Sequence, residues 1–263
     1  MAAIKRISVS DCGIASLEGI EYCIGLETLV CMNNNITELN LQNNKALEML
    51  ICSGNELTEL DVGSNSALQY LDCSKNNIET LNVQHNEKLL LLICADNELE
   101  RLSVAGNYAL EYLDCSSNWL TSLDITQNSS LTILNCGGNE LTELHISNND
   151  QLLMLCCANN KLAQLDVSSN IALQSLNCQG NRLIWLDVTG NKDLMQIQCG
   201  SNLLTGIKLN TLGPHQSQYL DCANNPQLKE LWLKPAQDTT LHTKDAHTRY
   251  RWDFPLGKQE VPL

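Results

Sequence analysis

Cysteine returns in this chain at a fixed interval. Cys31, Cys52, Cys73, Cys94, Cys115, Cys136, Cys157, Cys178 and Cys199 stand 21 residues apart, and Cys222 follows after 23. One cysteine per unit is a ladder, unlike the paired spacing of zinc sites or a disulfide framework. A constant period of 20 to 50 residues marks a solenoid, in which no unit can bury its apolar side alone. Each unit has the form L-x-x-L-x-C-x-x-N-x-L-T-x-L-D-V-x-x-N-x-x. Units begin at Leu26, Leu47, Leu68, Leu89, Leu110, Leu131, Leu152, Leu173 and Leu194. A degenerate tenth starts near Ser217, after a two-residue insertion around Leu212-Gly213-Pro214. Residues 4 to 25 form a variant first repeat, with Ile4, Ile7, Val9, Ile14, Leu17 and Ile20 at its inward positions.

The unit from Leu131 divides into two halves. Leu134 and Cys136 alternate with Asn135, and Leu144 and Ile146 alternate with His145. Period-two alternation is the mark of a strand with one buried face. Stacking would pair each strand with its equivalent one coil away, giving two parallel sheets across a shared core. At about 4.8 Å per coil the stack is roughly 50 Å long. With strands on both sides, low curvature is expected. Two asparagine columns mark the corners, one from Asn34 to Asn225 and one from Asn44 to Asn191. A turning backbone leaves N–H and C=O groups off the ladder, and an amide that both donates and accepts can satisfy them in every coil. Asn128-Ser129-Ser130 and Asn35-Ile36-Thr37 match the glycosylation pattern, but Asn128 as a column member would be inaccessible.

These residues resemble the bacterial leucine-rich repeat of 21 residues whose halves are nested copies of one another, the IRREKO type. Leu17-Glu18-Gly19-Ile20 in the first repeat is similar to the internalin type. The resemblance covers about residues 4 to 234. It implies a mainly β, right-handed solenoid with two parallel sheets, low curvature and little or no helix. The expected division is a solenoid over 1–234, about eleven repeats counting the degenerate first and last, and a C-terminal cap or tail over 235–263. That tail leaves the period and carries Pro235, Pro255, Pro262, Tyr250, Trp252 and Phe254.

A net charge of −14 disfavours a nucleic-acid partner, because phosphate binding relies on clustered Lys and Arg. No stretch of about 18 or more apolar residues is present to span a membrane. The opening MAAIKRISVS lacks an apolar signal-peptide core. The location therefore stays open: secreted or cell-surface if a leader was removed, cytoplasmic otherwise.

Chemistry-bearing residues are scarce in pattern. The cysteine ladder spreads its thiols along a line, so free thiols acting as small buried hydrophobes are expected rather than metal ligands. Cys156, outward beside Cys157, is the expected reactive thiol, and Cys23 is a second accessible candidate. His85, His145, His215, His242 and His247 share no ligand spacing, and no nucleophile, phosphate-loop or zinc-protease motif occurs. The chain reads as a non-enzyme with no cofactor and no metal.

The outward columns carry the functional expectation. On the cysteine side, Met49, Ile51, Tyr70, Leu91, Ile93, Tyr112, Ile133, Met154 and Tyr219 form an apolar, aromatic band rimmed by Asp72 and Asp114. An exposed patch of this kind marks a contact site, although β-propensity alone also favours such residues. The opposite side is polar and acidic, with Glu38, Glu59, Asp61, Asp124, Glu143, Asp166 and Asp187, and carries Trp185 and Trp232. The expectation is a protein-binding module whose partner is another protein, host-derived or a second copy. The alternative is the repeat region of a bacterial surface or secreted protein that meets carbohydrate or host matrix.

Overall fold

The computed structural model describes residues 4–209, 219–232 and 242–251. The expected insertion around Leu212-Gly213-Pro214 and the aromatic residues Trp252 and Phe254 lie outside them.

Among the described residues, twelve short strands form one parallel sheet on the cysteine side, from Arg6–Ser8 to His242–Thr243. Register is constant at one unit per strand: Leu71 faces Leu92, Leu92 faces Leu113 and Leu113 faces Leu134. Nearly every strand is three residues long, because only its central residue must point into the core before the chain turns. The inward leucines and all ten ladder cysteines are buried in a single continuous core. The short 3-10 turn Ile20–Tyr22 is the one helical element described.

The two sides are not equivalent. The opposite side carries parallel strands in separate blocks. Glu59–Asp61 pairs Thr80–Asn82, with a single bridge on to Ser103, and Trp185–Asp187, Gly206–Lys208, Glu230–Trp232 and Arg249–Arg251 form a second block. The middle coils have no ladder there. Packing sets only the second block apart: the inward leucines Leu39 to Leu165 on that side, Leu60 and Leu81 of the first block included, remain 5–9 % exposed, whereas Leu186 and Ile207 are fully buried. Symmetric half-repeats therefore build one unbroken wall and one interrupted wall.

The corners explain the asparagines, with one correction. Asn139 donates from Nδ2 to the carbonyls of Cys115 (3.0 Å) and Cys136 (3.1 Å), and its Oδ1 accepts from the Leu120 N–H at 2.9 Å. The first column thus both donates and accepts across three neighbouring segments, as expected. The second column only donates. Asn149 Nδ2 reaches the carbonyls of Ile125 and Asn128, but its Oδ1, like the seven others from Asn44 to Asn191, accepts nothing within the described residues. Its amide lies on the inner side of a tight turn whose own N–H and C=O groups already pair with one another, as Asn149 N–H does with Ile146.

Two corner devices have weak sequence signals. The residue before each first-column asparagine adopts a left-handed backbone, with φ 53° at Lys75 and Ser117 and 66° at Gly138. Glycine fits there without cost, but the position tolerates several residue types. At the end of many strands an Asp or Asn folds back on its own chain. Asp114 Oδ1 accepts from the Ser116 N–H (3.0 Å) and hydroxyl (2.6 Å), and Asp187 does the same with Thr189. These Asx turns hold the chain as it leaves the sheet.

The first coil is packed less completely than the coils that follow it. Ile20 is buried, Ile7, Val9, Ile14 and Leu17 pack only partly against the core, and Ile4, expected inward, is half exposed. At the other end, His242–Thr243 and Arg249–Arg251 extend both sheets. Asp245 between them accepts from the N–H groups of Asn224 and Asn225 at 2.9 and 2.8 Å.

Candidate binding face

The parallel register puts the outward residues of successive strands into rows. One row runs Met49, Tyr70, Leu91, Tyr112, Ile133, Met154 over six adjacent strands. A second, beside it, runs Ile51, Asp72, Ile93, Asp114, Asn135, Cys156. Tyr70 and Met154 are exposed and the other apolar members are half-buried against their neighbours. Tyr219 lies apart, separated from Met154 by the polar rungs Ser175 and Gln196. Eight of the nine residues expected at the band therefore form one patch.

No outward strand position of the cysteine-side sheet from Thr28–Val30 to Tyr219–Asp221 carries Lys or Arg. Partial burial and then the nearby carboxylates of Asp114 and Asp72 push the Tyr112 hydroxyl above its usual range. Asp72 and Asp114 are more than a rim. Each is an Asx-turn residue, bonded to Ser74 and Ser116 through Oδ1. Asn135 takes the same turn position two coils beyond Ile93 and donates to Asp114 Oδ2 at 3.0 Å. The sequence signal for this role, an Asp or Asn two residues before a Ser, Thr or Gly, is present but equally describes an ordinary solvent-facing side chain.

All thirteen cysteines are free. Burial pushes the thiols of Cys31 and Cys222 up to about 12 and holds the rest of the ladder above the usual thiol range. Cys156 departs from expectation: burial raises its thiol also, so it is a poorer nucleophile than its outward position suggests. Cys12 is the exposed thiol. Within the described residues no group of three or more His, Cys, Asp or Glu side chains is placed to share a metal ion. No helix there is long and apolar enough to cross a membrane.

On the opposite side, part of the acidic column is structural. Hydrogen bonds from the Thr126 hydroxyl and amide lower the Asp124 carboxyl, and Ser168 does likewise for Asp166. Trp185 lies outward, as expected, with Lys208 5.6 Å from its ring centre and paired to Asp187 at 3.3 Å.

The 21-residue coils and their buried column of free thiols match a solved structure, the functional domain of InlJ from Listeria monocytogenes, which includes a cysteine ladder. The two share 34% identity with a TM-score of 0.78, over 92% of this chain and 54% of that one. This chain is a leucine-rich-repeat protein. It spans about half the length of the InlJ domain. YopM from Yersinia enterocolitica (TM-score 0.69, 24% identity, 95% of this chain and 59% of that one) has the same fold. So does a leucine-rich-repeat protein from Leptospira interrogans, with a TM-score of 0.68 and 20% identity over 96% of this chain and 79% of that one. No protein-family model and no curated protein matches the sequence. Leucine-rich-repeat proteins are in general protein-binding modules.

Proposed function

We propose that this leucine-rich-repeat protein is a non-enzymatic binding module that receives another protein, host-derived or a second copy, on its cysteine-side sheet. The contact surface is the patch of Met49, Ile51, Tyr70, Leu91, Ile93, Tyr112, Ile133 and Met154. Tyr219 stands outside its centre. One observation carries the reading: apolar and aromatic side chains line one unbroken row across six strands and remain accessible, although the fold needs only the inward residues. Tyr and Met enrichment suits the central anchors of a protein interface. In the same reading, repeats within 1–234 supply the surface and 235–263 closes the end.

The test is affinity capture from host and bacterial extracts with the wild-type chain and a Leu91→Glu/Tyr112→Glu variant. The variant should lose the captured partner while its thermal transition stays nearly unchanged, because neither side chain faces the core. Equal capture by both proteins would sink the assignment of the face.

A further inference from the structure

Three consecutive coils in the centre of the patch read Tyr70-Leu71-Asp72, Leu91-Leu92-Ile93 and Tyr112-Leu113-Asp114. The inward leucine of each is core. What remains outside is an aliphatic rung between two identical Tyr–Asp rungs. Neighbouring parallel strands are about 4.8 Å apart, so the two carboxylates stand about 9.6 Å apart with Ile93 midway. Asp72 keeps Oδ2 free of any hydrogen bond among the described residues. Asp114 Oδ2 meets only the Asn135 amide. No cation on the outward strand positions neutralises either one. The wider field points the same way: 21 of the 30 Asp and Glu residues, but only 6 of the 16 Lys and Arg, lie in the first 150 residues.

We infer that this site takes a basic amphipathic helix of the partner, lying along the solenoid axis, with an aliphatic residue between two cationic ones. The inference rests on the cysteine-side sheet being the binding surface. Spacing selects the helix. At 1.5 Å per residue, positions i and i+7 lie about 10.5 Å apart on one face, with i+3 and i+4 halfway between them. That matches carboxylate, aliphatic rung, carboxylate to within about a tenth. An extended strand repeats a face every two residues, about 6.7 Å, and misses the second carboxylate. A polyproline helix repeats every three residues, about 9.3 Å, but offers no residue between to meet Ile93. The two tyrosine rings suit the same cations, since a guanidinium stacks on an aromatic face and pairs with a carboxylate beside it.

The probe is an alanine-based helical peptide with arginine at its fifth and twelfth positions and leucine at its eighth and ninth. Its control is the isomer with arginines and leucines exchanged. The full chain should bind the first peptide about tenfold more tightly than the second, and more weakly as salt rises. An Asp72→Asn/Asp114→Asn variant should lose about tenfold in affinity and most of the salt dependence. Asparagine is tolerated there, because Asn135 and Asn177 fill the same position and make the same turn bond. Equal binding of the two isomers, no binding of either, or no effect of the double asparagine variant would overturn the inference. The reading of the face fails separately: it falls if Leu91→Glu/Tyr112→Glu still captures partner. If that variant loses capture while the peptide results fail, the face stands and the basic helix does not.

Discussion

Asn139 reaches back to Cys115 one coil away, its Nδ2 lying 3.0 Å from that carbonyl. The same side chain ties in Cys136 of its own coil and the N–H of Leu120. An Asn139→Ala change strands these buried groups, each worth about 1–3 kcal/mol when unpaired. Urea unfolding should show a loss of about 3 kcal/mol or more. Asn149→Ala, in the donating-only column, removes two hydrogen bonds and an acceptor that had no partner. It should cost clearly less, about 1–2 kcal/mol. Equal losses would contradict the difference between the two corners.

The thiol column makes the fold sensitive to alkali. Its ten cysteines have folded pKa values raised above those of the unfolded chain, by burial above all. Such groups stabilise fully below the unfolded thiol pKa of about 8.5, and that stability is lost as pH rises from there towards the folded value. Each contributes about 1.4 kcal/mol per pH unit in that window, so ten acting together exceed the usual stability of a domain within about one unit. Circular dichroism should show cooperative unfolding between about pH 9 and 10.5. Replacing several ladder cysteines with alanine should blunt this pH dependence even though it lowers stability at pH 7.

Trp185 lies directly over Gly206, where a methyl group would overlap its ring. Gly206→Ala should therefore displace the indole from Lys208 while leaving the Lys208–Asp187 ion pair available. An exposed cation–π contact is worth about 0.5–1 kcal/mol. The stability to unfolding should fall by no more than about 1 kcal/mol, and the tryptophan emission should shift. An unchanged emission spectrum would show that the ring had not moved.

The sequence carried the period, the inward residues and the order of the outward rows, because a solenoid repeats one local rule. The spacing of Cys73, Cys94 and Cys115 is enough to place Tyr70, Leu91 and Tyr112 side by side. It was less informative about corners. Lys75, Ser117 and Gly138 share a left-handed backbone but no chemistry, so no letter in the sequence marks the position. Asp72 and Asp114 read in sequence as a charged rim, and their turn bonds to Ser74 and Ser116 depend on the path of the backbone as it leaves each strand.

Residue order alone dictates the repeat: strand after strand in register, a cysteine and a leucine inward, an asparagine at each corner. Those outcomes follow from side-chain period and from the polar groups a turn leaves unpaired. How unequal the halves are emerges only once the coils are stacked. Nearly the same alternation gives an unbroken wall on the cysteine side and an interrupted one opposite, because backbone pairing depends on coil spacing summed over many units rather than on any one of them. The same summation aligned Asp72, Ile93 and Asp114 on one accessible surface, while Ser175 and Gln196 left Tyr219 outside it.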